Sequence, residues 1–371
     1  MFQLAGNKFW SLKNTMIEKS ILIYEKDSIK DALKKLDKCL DKVLLVIDDE
    51  NVLLGTITDG DVRRHILKGQ GIDNNIREVY NRAPVYLSRD GFTLEYAKDL
   101  IVRHKVTLLP VLDREKKLID CVKGRDLFSE GELMKIKAPS RNMDIPVVIM
   151  AGGKSTRMEP FSKIFPKPLI PIGDKPIIQI IIDEFKNQGV RNYYLALNYK
   201  GEMIESYFNH LEKDFKVHYI WEKFFYGTAG SLKLLEKEIS DIFIVSNCDV
   251  IVKADFEEVI GFHKRHNACL TLLSSIQHYK IPYGIINFKE RGEVINVIEK
   301  PEYTFTINTG VYVLNRESLK FIPEGTCFDM TDLIKILIEN NKKVLTYPVN
   351  ENEYIDIGQW EEYKKNIEKL L

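Results

Sequence analysis

The sequence shows no excess of charge of either sign: Lys+Arg and Asp+Glu both number 54, for a formal net charge of zero. Nucleic-acid-binding and membrane-surface proteins work through a cationic excess, so the balance argues against both. It leaves room for a local basic pocket that takes a phosphorylated ligand. Cysteine is sparse and scattered: Cys39, Cys121, Cys248, Cys269 and Cys327 stand singly, with no CxxC pair. That spacing suits neither a zinc site nor a disulfide framework, and the expectation is reduced thiols in a cytoplasm. Long apolar runs are missing; residues 177–182 are far too few to span a bilayer. The opening residues Met1 to Lys8 lack the basic-then-apolar pattern of a secretory leader. A P-loop is missing too. Gly153-Lys154-Ser155 looks like the end of one, but the motif needs a glycine where Val148 stands.

The chain has 371 residues, room for two domains of ordinary size, and 44% of them are hydrophobic. Its first third repeats itself. Val46-Ile47-Asp48-Asp49-Glu50-Asn51 is echoed by Val111-Leu112-Asp113-Arg114-Glu115-Lys116, at an offset of 65 residues. The same offset pairs Ser28 with Thr93, Ala32 with Ala97, Leu36 with Ile101 and Asp61 with Asp126. Each unit reads as a helix (28–36; 93–104), a strand, a polar turn and a second strand. Ser28 and Thr93 are good N-caps for the two helices. Neither unit is long enough to bury a core alone. The repeats, about 12–70 and 77–130, are therefore expected to pack together as one α+β module within residues 1–134. The polar, proline-containing stretch that follows marks a linker at 135–144.

From residue 145 to 371 the pattern changes. Residues 146–150 read as a buried strand ending in a Gly-Gly turn, and 177–188 as a helix closed by Gly189. Residues 193–197, 242–246 and 268–274 read as strands, and 259–266 as a helix. Strands alternating with helices predict an α/β domain on a mostly parallel sheet. Ligands of such sheets bind at the carboxyl ends of the strands, where Ala151-Gly152-Gly153 and Asn247-Cys248-Asp249 fall. The glycines let backbone N–H groups approach phosphate oxygens, and Arg157 and Lys167 add two cations. An isolated Asp249 would only cap a turn, and an isolated Lys300 would be a solvated charge.

The ordered motifs carry a resemblance. Met150-Ala-Gly-Gly-x-x-Thr-Arg-Met158 followed by Pro166-Lys-Pro-Leu169 is similar to the signature of the sugar-phosphate nucleotidyltransferase family. Gly227-Thr228-Ala229-Gly230 resembles that family's base-binding turn, and Asn247-Cys248-Asp249 its metal segment, with Cys248 where glycine is usual. Tyr283-Gly284, Glu299-Lys300-Pro301 and Asn308-Thr309-Gly310 resemble its sugar pocket, and Asp356-Ile357-Gly358 its second metal carboxylate. Ser155 departs from a frequent glycine. The resemblance implies a Rossmann-like three-layer domain and attack of a sugar 1-phosphate on the α-phosphorus of a nucleoside triphosphate. That chemistry needs positioning and charge neutralisation rather than a catalytic base. It implies Mg2+ on Asp249 and Asp356, with Arg157 and Lys167 facing the leaving pyrophosphate. Ala151, Gly152, Gly153, Gly227 and Thr228 would hold the nucleotide. Tyr283, Gly284, Glu299, Lys300, Asn308 and Thr309 would hold the sugar phosphate.

Glu222, five residues before Gly227, falls where the resemblance puts a base-reading side chain. A carboxylate only accepts hydrogen bonds, which suits the two adjacent donors of guanine and points to GTP. Uridylyl and thymidylyl transfer stay open beside it. The repeats resemble a pair of CBS domains, of the cystathionine-β-synthase type. In repeat one Gly55, Thr58 and Asp61 match that family's ribose-binding pattern and imply an adenine-nucleotide effector held by Thr58 and Asp61. Repeat two has Asp120 and Lys123 in place of the glycine and threonine. The module is either a sensor with one site or a scaffold that dimerises, and the resemblance implies a homodimer. A CBS pair fused before such a transferase resembles the glucosamine-1-phosphate guanylyltransferases of bacterial legionaminic acid synthesis. Mannose and heptose 1-phosphates remain alternatives, as does a sensor protein whose transferase domain is inactive.

Overall fold

The computed structural model describes residues 17–89, 92–129, 143–154, 156–159, 161–239 and 241–367. The chain divides into two compact units, Met1–Pro139 and Ser140–Leu371. Most of the expected linker, and Ser155, lie outside the described residues.

In the first unit the internal repeat is a repeat of structure. Strand Leu22–Tyr24, helix Ile29–Lys38 and strands Val43–Ile47 and Leu53–Thr58 make a three-stranded sheet with a helix. Strand Leu87–Ser88, helix Leu94–His104 and strands Leu108–Leu112 and Leu118–Lys123 make another in the same order. Ser28 and Thr93 accept from the backbone at Asp31 and Tyr96 as N-caps. The offset survives in fine detail. The strand pairing slips at Val46/Ile47 and again at Val111/Leu112. Asp48 and Asp113 each accept two backbone N–H groups in the turn that follows. Asn51 and Lys116 take left-handed backbone at φ 63° and 64°. These turns then hold the repeats together. Leu53 N–H donates to the Lys116 carbonyl at 3.1 Å, and Leu118 N–H to the Asn51 carbonyl at 2.9 Å.

The second unit is built on a seven-stranded sheet. Its strands are β1 (Val147–Met150), β2 (Asn192–Leu197), β3 (Lys216–Trp221), β4 (Ile242–Asn247), β5 (Leu270–Lys280), β6 (Glu302–Asn315) and β7 (Val344–Val349). The spatial order is β3-β2-β1-β4-β6-β5-β7, and every pairing is parallel except the two made by β6. The sheet is apolar on both faces because helices cover both. Val147 and Ile149 of β1 pack with Ile181 of helix Ile177–Lys186, Phe208 of helix Gly201–His210 and Phe256 of helix Phe256–Arg265. Val148, between them, faces the other core with Leu232, Leu235 and Leu333 of helix Met330–Glu339. Alternation along the strand thus builds a three-layer α/β domain, as the motif order implies.

Two features place the site. β1 and β4 are neighbours, with Met150 opposite Asn247, so the turns after both strands open side by side. A short ladder of Val250–Val252 against Tyr354–Asp356 puts Asp356 opposite Val250. That pairing ties the end of the domain to the end of β4.

Thr58 is the N-cap of helix Asp59–Leu67 in a reciprocal capping box with Asp61. Thr58→Ala should lower the stability of the first unit by about 1 kcal/mol, read by urea unfolding.

Candidate active site

The turn after β1 is glycine for steric reasons. A Cβ at Gly152 would sit 3.1 Å from Glu222 Oε2 and 3.2 Å from the Asn198 Cβ. Gly153 has open space around it. Ala151 is buried and donates its N–H to the Ala196 carbonyl at 3.0 Å, anchoring the turn to β2. Arg157 follows, exposed, and has no hydrogen-bond or ion-pair partner among the described residues.

Lys167 is the opposite case. It is 4% exposed, and its ammonium is ion-paired with Asp249 and donates to the Gly358 carbonyl at 3.1 Å. Gly358 N–H in turn donates to Asp356 Oδ1 at 2.6 Å. A Cβ at Gly358 would lie 2.8 Å from Asp356 Oδ1, 3.0 Å from Asp249 Oδ2 and 3.4 Å from Lys167 Nζ. Two carboxylates and one ammonium therefore converge on a space that only glycine leaves open. The Tyr354 hydroxyl donates to Asp356 Oδ2 at 3.4 Å, and burial pushes that phenol's pKa well up. Hard oxygen donors in a pair suit Mg2+, which takes one or two carboxylates and fills its other positions with water and phosphate oxygens. A Cβ-free cradle flanked by Asp249 and Asp356 fits that demand. Cys248, the residue before Asp249, is buried, and burial pushes its thiol up to about 12.

Two cavities meet here. One of about 280 Å³ is lined by Gly152, Gly153, Lys167, Glu222, Gly227 and Thr228, among others. One of about 210 Å³ is lined by Asn308, Thr309, Tyr312, Tyr354 and Asp356, among others. Arg157, Asn247, Asp249 and Gly358 belong to both. A larger cavity, between the 171–176 hairpin and helix Gly201–His210, holds none of these groups.

Glu222 is 7% exposed at the edge of the first cavity, and its Oε2 is buried with no hydrogen-bond partner among the described residues. Burial raises its pKa above the ordinary carboxylate range. A buried acceptor left unsatisfied is costly unless something else supplies the donor. This one lies against Gly152, and both residues are among those lining the pocket.

Gly227 and Thr228 are held from far along the chain. Gly227 has φ 80°, and a Cβ there would meet the Phe328 carbonyl at 2.6 Å. That carbonyl accepts from Ala229 and Gly230 N–H at 3.0 and 2.9 Å. Asp329 Oδ1 accepts from Thr228 N–H at 2.9 Å and from its hydroxyl at 3.0 Å, and Met330 N–H donates back to that hydroxyl. Asp329 was not singled out by the motifs; its one sequence signal is Asp-Met-Thr-Asp, a helix start with its capping box. Tyr312 stands outside the sequence motifs as well, whereas Asn247 belongs to the Asn247-Cys248-Asp249 segment. The Asn308 amide donates to the Tyr312 hydroxyl at 2.7 Å, and Gly310, at φ 82°, leaves room for Asn247. The Thr309 hydroxyl is buried and donates to the Leu273 carbonyl, so it braces the strand.

Tyr283, Gly284, Glu299 and Lys300 line neither of these two cavities. They sit in the two connections below an exposed hairpin, where Tyr283 is 75% exposed and Gly284 closely approaches Glu299. In the first unit, Thr58 and Asp61 are engaged with each other, and Arg64 pairs with Asp61. Lys123, in the matching place of repeat two, is ion-paired with Glu18 at 2.7 Å.

The nucleotidyl transferase family model matches residues 146–371. The chain belongs to the nucleotidyl transferase family. The CBS domain model matches residues 12–68, the first repeat. Among curated relatives, a mannose-1-phosphate guanyltransferase of Saccharomyces cerevisiae is 32% identical over 221 residues, covering 57% of this chain and 61% of the relative. A UTP–glucose-1-phosphate uridylyltransferase of Synechocystis is 27% identical, covering 60% of this chain and 63% of the relative. The chain thus spans about three-fifths of the length of these relatives. A crystal structure of HddC from Yersinia pseudotuberculosis is 28% identical, with 61% of this chain and all of that chain covered, at a TM-score of 0.49.

Asp329→Ala removes the cap and the clamp on Thr228 together. It should cost about 1 kcal/mol. Hydrogen exchange at the Thr228 and Met330 amides should speed by roughly fivefold.

Proposed function

We propose that the protein transfers a nucleoside monophosphate from a nucleoside triphosphate, GTP by preference, to a sugar 1-phosphate, releasing pyrophosphate. Glucosamine 1-phosphate is the favoured acceptor, and the product would be a GDP-sugar for a surface glycan such as one carrying legionaminic acid. The observation that carries the reading is the joined pair of cavities, with Glu222 buried at the edge of one, Asp356 lining the other, and Asp249 and Arg157 at the junction. Family membership and the names of the relatives support the reaction class. The unsatisfied Glu222 oxygen supports guanine, because the N1–H and N2–H₂ donors of that base would pair with a carboxylate. The fused regulatory unit supports the amino-sugar acceptor, by its likeness in architecture to enzymes of that pathway.

In this reading the Gly152–Gly153 turn admits the phosphates close to backbone, and the Asp329-clamped turn at Gly227–Thr228 shapes the base pocket. Arg157, unpaired among the described residues, is available to a phosphate. Lys167 holds Asp249 in place and adds positive charge at the junction. Mg2+ held by Asp249 and Asp356 would supply charge neutralisation of the phosphates. No side chain has to act as base, since the attacking sugar phosphate is already an anion.

Pyrophosphate release tests this, with GTP, ATP, UTP and dTTP each crossed with glucosamine, N-acetylglucosamine, mannose and glucose 1-phosphates. Turnover confined to GTP and an amino sugar is expected; turnover with UTP or dTTP removes the guanine assignment, and no release with any pair removes glucosamine 1-phosphate as the acceptor, leaving an untested sugar phosphate or an inactive transferase domain. Asp249→Asn should lower kcat about a hundredfold or more. Glu222→Gln should raise the KM for GTP roughly 10-fold or more and erode its advantage over UTP. The pH dependence has a definite sign. Burial raises the Glu222 pKa, so the carboxylate takes up its proton above the ordinary ~4.3. The KM for GTP should therefore climb as pH falls through that raised range, and this limb should vanish in Glu222→Gln.

A further inference from the structure

Between the end of β3 and the turn at Gly227 the chain runs through Glu222-Lys223-Phe224-Phe225-Tyr226. Both ends of this segment are fixed. Glu222 N–H donates to the Leu197 carbonyl at 2.9 Å, and the Asn198 amide donates to the Glu222 carbonyl at 3.2 Å. At the other end Tyr226 is buried, and its carbonyl accepts from Phe328 N–H at 2.9 Å. A segment pinned in this way nevertheless leaves two large rings in water: Phe224 is 50% and Phe225 51% exposed. The two rings are not equivalent. Phe224 packs on Tyr226, with ring centroids 4.3 Å apart, and lines neither cavity of the site. Phe225 has no ring partner among the described residues and lines the cavity that holds Glu222. It is the one aromatic side chain among the described residues that line that cavity. Neither Phe225 nor Glu222 lines the second cavity.

A nucleobase is polar along its edge and apolar on its two faces, so a site that holds one firmly meets both needs. Glu222 offers an acceptor to the edge. A flat apolar side chain is what the face requires, and in this cavity that is Phe225. Offset stacking takes ring and base out of water together, and it adds the attraction between the two π-systems. A sugar 1-phosphate has no such flat face to offer, and its cavity does not include this ring. We infer that Phe225 stacks on the base of the bound nucleoside triphosphate. The assignment deepens the nucleotide reading of the first cavity and rests on it. It also divides the labour within one short segment. Every base has a π-face, so Phe225 sets how tightly a nucleotide is held. Glu222 accepts only from a base with donors on its edge, so it sets which base is preferred.

The test uses the full-length chain with GTP and Mg2+, with binding read by isothermal titration calorimetry in the absence of acceptor. Phe225→Ala should weaken GTP binding roughly tenfold or more, whereas Phe224→Ala should stay within about twofold of wild type. With acceptor added, Phe225→Ala should raise the KM for GTP and leave kcat unchanged, because the groups that face the phosphates are untouched. Phe225→Trp should keep the affinity, and GTP should quench its indole emission beyond any change in wild type. Wild-type affinity in a folded Phe225→Ala protein, an equal loss in Phe224→Ala, or no added quenching in Phe225→Trp overturns the assignment. If Phe225→Ala fails to fold, the quenching result decides alone. Wild-type protein that binds no GTP overturns the nucleotide reading itself, so the two failures are told apart.

Discussion

The ammonium of Lys167 is buried between a carboxylate and a carbonyl, and much of the transferase unit is arranged around that fact. Its partners lie 82 and 191 residues further along the chain, at Asp249 and Gly358. A buried charge with no partner is strongly destabilising, so the three segments can only close together. The ladder between Val250–Val252 and Tyr354–Asp356 adds backbone hydrogen bonds to the same closure. Glycine at 358 is the steric condition for it, since a Cβ there would press on both carboxylates and the ammonium at once. The electrostatic closure and the candidate metal cradle are thus one structure.

The neighbouring pocket is held by a different kind of interaction. Gly227 turns where no side chain fits, and the carbonyl of Phe328 and the carboxylate of Asp329 collect the N–H groups the turn leaves over. Asp329 does two jobs with one side chain: it caps helix Met330–Glu339 and clamps Thr228. The wall of the pocket at Gly227–Thr228 is therefore tied to that helix. In the same pocket lining, Glu222 has a buried oxygen with no hydrogen-bond partner among the described residues.

The first unit shows how far an internal repeat goes and where it stops. Bulges, Asp-centred turns and left-handed residues recur at the 65-residue offset, because each turn closes with an aspartate accepting the same two backbone N–H groups, while the left-handed position takes Asn51 in one and Lys116 in the other. The symmetry breaks at Thr58 and Lys123. A threonine accepts a backbone N–H and caps a nine-residue helix, Asp59–Leu67. A lysine cannot accept, and the helix after it, Gly124–Leu127, has four residues. Lys123 reaches Glu18 instead.

Much of the secondary structure was legible along the chain. Apolar runs between glycine turns and capped helices are local patterns, and they specify strands, helices and a mostly parallel sheet without reference to distant residues. The repeat was legible as well, and so was the identity of the charged residues at the strand ends. Which of those residues meet is settled by the folding of distant segments onto one another. Arg157, Lys167, Asp249 and Asp356 converge, whereas Tyr283, Glu299 and Lys300 stay on an exposed arm away from the two cavities. Asp329 and Tyr312 enter the site, although nothing local distinguishes them from a cap and a core tyrosine. Hydrophobic periodicity is written in neighbours along the chain. A hydrogen bond across a hundred residues is written only in the fold, which must first bring its two ends together.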